Sequence, residues 1–242
     1  MNPQEEYYNN ILTQFGQFTT ATTFFPLVVA VFRFKYFNKP LWVFFGYVFA
    51  TVLSYSIEQA FIWSVNTHTE FWLPYLKRFD ISDTHFLQII STLKNFLFLG
   101  WAYSILFKGK LSKIVQYLSL ALALFAIIDY VWITGYKAPG VLMPTLVGFF
   151  LVSLPMLYLW FLYRQNQIIS IYKIPYFWFS IALIVAHLLG LLFYFMGEKV
   201  YKTDFVLFVK ISLVRNTITV IRHCVFAYGF WLARYVRFLR NP

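Results

Sequence analysis

The sequence predicts an all-α polytopic membrane helical bundle with seven transmembrane helices, its N-terminus outside and its C-terminus cytoplasmic. Three observations carry that prediction. The composition is 60% hydrophobic and only 12% charged; seven apolar runs are long enough to cross a bilayer; and basic residues favour alternate loops. A soluble domain usually carries about 25% charged residues. With so few, a chain of 242 residues could not cover its surface with polar side chains.

The seven runs fall near 15–34, 41–65, 85–107, 113–133, 142–163, 176–197 and 206–233. At 1.5 Å per residue each spans about 30 Å of hydrocarbon. The residues before the first run include Glu5 and Glu6 but no Lys or Arg, so the charged start of a signal peptide is missing and this run reads as a true span. Pro26 interrupts the first run, and Pro144 and Pro155 the fifth; all three read as kinks. The second run carries Glu58, the third Lys94, the fourth Asp129 and the sixth His187. The seventh is the most polar, with Lys210, Arg215, Asn216, Thr219, Arg222 and His223.

Loop charges set the orientation. Arg33, Lys35, Lys39, Lys108, Lys110, Lys113, Arg164, Lys173, Arg234, Arg237 and Arg240 fall on one side with no acidic residue among them. The other side has Lys77, Arg78, Lys137, Lys199 and Lys202 against Glu5, Glu6, Glu70, Asp80, Asp83, Glu198 and Asp204. Basic residues mark the cytoplasmic side. The formal charge of +11 therefore points to topology and excludes nucleic acid as a partner, since no nucleic-acid-binding motif accompanies it. The connection 66–84, with Trp72, Pro74 and Tyr75, reads as an interfacial segment over the outer mouth. Nothing divides the chain, so 1–242 is a single domain.

Ionisable groups inside the bilayer are costly unless paired, hydrated or facing a cavity. Counting from the span ends puts Glu58 roughly 10 Å and Lys94 roughly 13 Å below the outer surface, with Arg215 at similar depth. Asp129 and Lys210 lie shallower. Two readings follow. In the first, Glu58 pairs with Lys94 or Arg215, and Asp129 with Lys210, to hold helices together. In the second, Glu58, Lys94, Asp129, Lys210, Arg215 and Asn216 line an outer cavity for a small polar or anionic ligand. On the seventh span, Arg215 and Arg222 share a face with Thr219, beside a stripe of Asn216 and His223, and together they outline a polar path.

No protease, hydrolase, phosphate-loop or paired-cysteine metal motif occurs, and a single cysteine, Cys224, forms no internal disulfide. No catalytic residue, metal site or cofactor is expected. Retinal is disfavoured because Lys210 lies near the outer end of its span and Lys94 puts a second cation where a counter-ion belongs.

Three segments, FPLVVAVFRFKYFNKPLWVFFGY, STLKNFLFLGWAYSILF and VLFVKISLVRNTITVIRHCVFAYGFWLA, together with IYKIPYFWFSIALIVAHLLGLLFYFMG, resemble the uncharacterised seven-helix inner-membrane proteins common in Bacteroidota. The resemblance covers nearly the whole chain. It implies a multi-pass location in the cell inner membrane and association with signalling proteins. Members often place an acid before a Phe in the third span; here Asn95 precedes Phe96, beside Lys94, so no role of that acid transfers.

The leading expectation is a receptor-like sensory or regulatory module. It takes a small polar or anionic ligand from outside and signals through a separate cytoplasmic or membrane partner. A transporter or channel for a small anion or polar solute is the main alternative, and a membrane-embedded lipid-modifying enzyme the third.

Overall fold

The computed structural model describes residues 3–81, 83–136, 140–164 and 170–238; Lys137 and Arg240 of the loop charges lie outside them. The described residues are helical throughout, with turns and short connections and no strand. The helices are α1 (Pro3–Thr22), α2 (Phe24–Arg33), α3 (Lys39–Thr67), α4 (Thr69–Phe79), α5 (Gln88–Lys94), α6 (Gly100–Leu106), α7 (Gly109–Ile128), α8 (Leu142–Arg164), α9 (Pro175–Thr203) and α10 (Phe205–Trp231).

Local chemistry explains most boundaries. The Asn38 side chain accepts from the Leu41 amide at 3.3 Å, and Pro40 stands in the first turn of α3, where its missing N–H costs nothing. Asp204 caps α10 through the Leu207 amide at 2.9 Å. Pro175 opens α9. Gly109, at φ +61°, turns the chain between α6 and α7 in a conformation most side chains avoid. The first run starts earlier than expected, at Pro3, and breaks at Thr23 instead of kinking. Pro26 has no N–H to give the carbonyl of Thr22, so the ladder lapses there.

Six helical stretches are long and apolar enough to cross a membrane: Glu6–Tyr36, Lys39–Thr67, His85–Leu106, Gly109–Ile133, Leu142–Arg164 and Pro175–Met196. The protein is a multi-pass membrane protein. Its outward surface is apolar, as at Phe32, Leu124 and Trp132, which are 75%, 62% and 74% exposed. Such surface suits lipid and not water. At 27 residues α10 is long enough to span, but Lys210, Arg215 and Arg222 leave it less apolar than the six.

Packing runs from α1–α2 to α3, from α3 to α5 and α6, from α6 to α7 and α8, then through α8, α9 and α10 back to α1 and α2. The bundle closes on itself. Its densest part is aromatic: Phe44, Tyr103, Tyr176, Phe179 and Phe230 are at most 2% exposed. Phe179 meets Phe44 and Phe226 with ring centres 4.6 and 4.8 Å apart, within the favourable range for aromatic pairs. The Tyr103 and Ser180 hydroxyls share a 2.8 Å hydrogen bond, and Tyr176 donates to Asn38, tying α9 to the cap of α3. Small residues let backbones approach closely. A Cβ on Gly100 would lie 1.9 Å from Ser119 Oγ, so α6 rests almost directly on α7.

Candidate functional site

A cavity of about 950 Å³ occupies the half of the bundle that carries α4. That volume is at the upper end of the ~300–1,000 Å³ range of small-molecule sites. Its walls come from Ser54, Tyr55 and Glu58 of α3, the segment from Thr84 to Asn95, the first turns of α8, the second half of α9, and Phe208 of α10. Beyond it, the aromatic core fills the opposite half.

Glu58 stands at the mouth. Its carboxylate accepts from the Thr84 hydroxyl at 2.7 Å, which fastens the chain entering the third span to α3. Lys94 lies ten residues further along that span, roughly 15 Å deeper at helical rise. The expected ion pairs are not formed. Neither Lys94 nor Arg215 has a carboxylate within 4.0 Å among the described residues. Depth along the membrane normal placed Glu58 near the right helices, but Thr84 supplies its partner. Among the described residues, the contact of Lys94 Nζ is with the Tyr47 ring, its centroid at 5.5 Å. His187 shares the cavity wall, and its Nε2 is buried with no hydrogen-bond partner among the described residues. The lining therefore carries one ammonium, that of Lys94.

Of the six residues expected to bind a ligand, the cavity brings together Glu58 and Lys94. Asp129 is buried, 4% exposed, and accepts from Thr134 at 2.8 Å; it lines an adjoining space of about 40 Å³ that shares His85, Gln88, Thr92, Gly140 and Pro144 with the large cavity. Lys210, expected beside it, is exposed. Arg215 is exposed too and lies 4.2 Å from the ring centre of Phe193, a cavity residue. Asn216 lines none of these spaces.

The residues of the expected path divide. Thr219 bonds its own helix, donating to the Arg215 carbonyl at 3.0 Å. Arg222 and His223 line a third space, about 20 Å³, with Thr23, Tyr47 and Thr51, which shares no residue with the large cavity. The Thr22 hydroxyl donates to the Thr19 carbonyl at 2.7 Å, so it accepts from His223 Nδ1–H at 2.9 Å. Arg222 then donates to His223 Nε2 at 3.3 Å. Those two bonds define a neutral imidazole. The Thr22 bond stitches α10 to α1. Nearer the far ends, the Arg33 guanidinium sits 3.7 Å from the Trp231 ring centre. The two contacts follow the same order along both chains, so α10 runs parallel to α1–α2.

Both π-helical turns coincide with intramembrane charges. One, Asn95–Leu99, follows Lys94; the other, Asp129–Ile133, begins on Asp129. Such turns insert an extra residue into the helical repeat and are frequent at functional sites. Gln88, Ser91, Thr92 and Asn95 line the cavity at spacings of three, one and three residues, the repeat of a single helix face. The stripe is legible in the sequence as uncharged polar residues at helical spacing.

Comparison with protein-family models, curated proteins and solved structures finds no match to this chain. The arrangement is a chamber with Lys94 and a polar helix stripe on one side, apolar side chains of α8, α9 and α10 on the other, and packed aromatic rings behind.

Proposed function

We propose that this protein is a receptor-like module of the cell inner membrane, akin to the seven-helix Bacteroidota proteins its segments resemble. In this reading α10 is the seventh span and the α4 end faces outside. A small polar or anionic ligand enters the cavity, and occupancy is reported to a separate signalling protein at the cytoplasmic face. The observation that carries the reading is Lys94: an ammonium in the lining of a 950 Å³ cavity, with no carboxylate within 4.0 Å among the described residues. An unpaired charge at the centre of a membrane helix costs about 3 kcal/mol on insertion scales, and a bound anion would offset that.

Two features favour sensing over conduction. The polar chamber and the Arg222–His223 space share no lining residue, and the packed aromatic core lies beyond the chamber. Meanwhile α9 and α10 both reach from the chamber wall to the opposite end, where Tyr228 and Trp178 rings meet at 5.2 Å. A change at the wall can thus reach the far surface through rigid helices. A photo-crosslinker at Lys110, in a basic inner loop, tests the reading. It should capture a membrane kinase or similar signalling protein in cells, with a yield that changes in Lys94→Met. Repeated recovery of the protein alone, or solute flux through it in proteoliposomes, would overturn it.

A further inference from the structure

The chamber is too large for its charge. Its lining offers a ligand one cation, the Lys94 ammonium, beside the polar stripe of Gln88, Ser91, Thr92 and Asn95. An inorganic anion or a short carboxylate such as acetate would occupy a small part of about 950 Å³. Leu87, Ile90, Val147, Phe193 and Phe208 add apolar wall that a hydrophilic solute would leave unmatched. Ligand sites of this kind draw affinity from apolar burial and orientation from a few polar groups.

From this juxtaposition we infer that the ligand is an amphipathic organic anion. Its single acidic head lies on Lys94, and its apolar body rises between α5, α9 and α10. The inference rests on the proposed ligand-binding reading and narrows it to a chemical class. Lys94 supplies the charge, and Asn95, Ser91 and Thr92 of the same wall supply polar groups around it. Burial of the ligand chain should strengthen binding about a hundredfold or more over the headgroup alone. Glu58, held by Thr84 at the mouth, does not compete for Lys94.

Decanoate is a suitable probe, with decanol as its neutral match and acetate as its headgroup alone. Binding is measured to the full chain in nanodiscs, with empty nanodiscs subtracted for partitioning. Decanoate should bind saturably at one site per chain, at least tenfold more tightly than decanol and a hundredfold more tightly than acetate. Lys94→Met should weaken decanoate tenfold or more and leave decanol unchanged, while Lys94→Arg keeps most of the affinity. Ile90→Trp, which fills the wall without touching the charge, should also weaken decanoate and guards against misfolding of the Lys94 variants. Acetate or phosphate binding that depends on Lys94, without preference for decanoate, overturns the amphiphile and spares the anion site. Decanoate binding indifferent to both Lys94 and Ile90, or no binding by any anion, overturns the site as well.

Discussion

Glu58 illustrates what a one-dimensional sequence does and does not disclose about a buried charge. Counting residues from the span ends picks out helices it can reach, but sets Glu58 and Lys94 only about 3 Å apart in depth, whereas Lys94 lies roughly 15 Å beyond Thr84, the partner of Glu58. Counting says nothing of which way those helices are rotated, or of a hydroxyl just outside the next span. Thr84, at 2.7 Å, is that hydroxyl. A hydrogen bond to a charged group contributes about 1.5–3 kcal/mol. Glu58→Gln keeps an acceptor oxygen and should cost about 1 kcal/mol, whereas Glu58→Leu strands the Thr84 donor and should cost about 2–3 kcal/mol. Thermal unfolding in detergent measures both; Thr84→Val should reproduce most of the Leu effect and add little to it. Equal stability of Gln and Leu variants would show that the carboxylate does not latch the mouth. The same limitation explains Asp129 and Lys210: Asp129 is buried with Thr134 as its partner, and Lys210 is exposed.

At the scale of the helix, hydropathy is a faithful guide to position because hydrocarbon admits no unsatisfied backbone. Six of the seven expected runs match described helical stretches that are apolar and long enough to span. What hydropathy does not convey is how closely two helices meet, since contact depends on small residues whose apolar signal is weak. Gly100 and Ser119 make the tightest such contact. A Cβ at position 100 would lie 1.9 Å from Ser119 Oγ and 2.6 Å from Ser119 Cβ, with Phe150 at 3.3 Å behind. Gly100→Ala should therefore destabilise by about 1–3 kcal/mol, the usual cost of overpacking. Ser119→Gly removes both near atoms and should restore most of the loss when combined with it. Denaturation of the two single variants and the double variant measures the coupling; simple additivity would mean that α6 and α7 separate freely. The π turns were equally hidden, because one inserted residue leaves composition unchanged.

For the whole molecule, α10 is set apart by its polarity, which takes a helix long enough to span below the hydropathy of the six. Its charges are Lys210, Arg215 and Arg222, and geometry provides for two of them without requiring water outside the bundle. Arg215 lies over Phe193, and Arg222 donates to His223, which is bonded in turn to Thr22. Lys210 is exposed and near the end of the helix, where its stem can carry the ammonium to the headgroups. Parallel packing on α1–α2 then sets a parity argument. If the six apolar spans alternate in direction, the sixth runs opposite to the first, and a helix parallel to the first would continue the alternation as the proposed seventh. The proposed orientation takes the loop charges as its guide, with the basic 108–113 turn inside and the α4 connection outside. Single cysteines in a Cys224→Ser background test parity and orientation together. Lys77→Cys should react with an impermeant maleimide in intact cells, while Lys110→Cys and Arg234→Cys should react only after permeabilisation. Labelling of Lys77 and Arg234 from the same side would remove α10 from the membrane. Exposure of Lys110 and protection of Lys77 in intact cells would invert the bundle, and the chamber would then open to the cytoplasm.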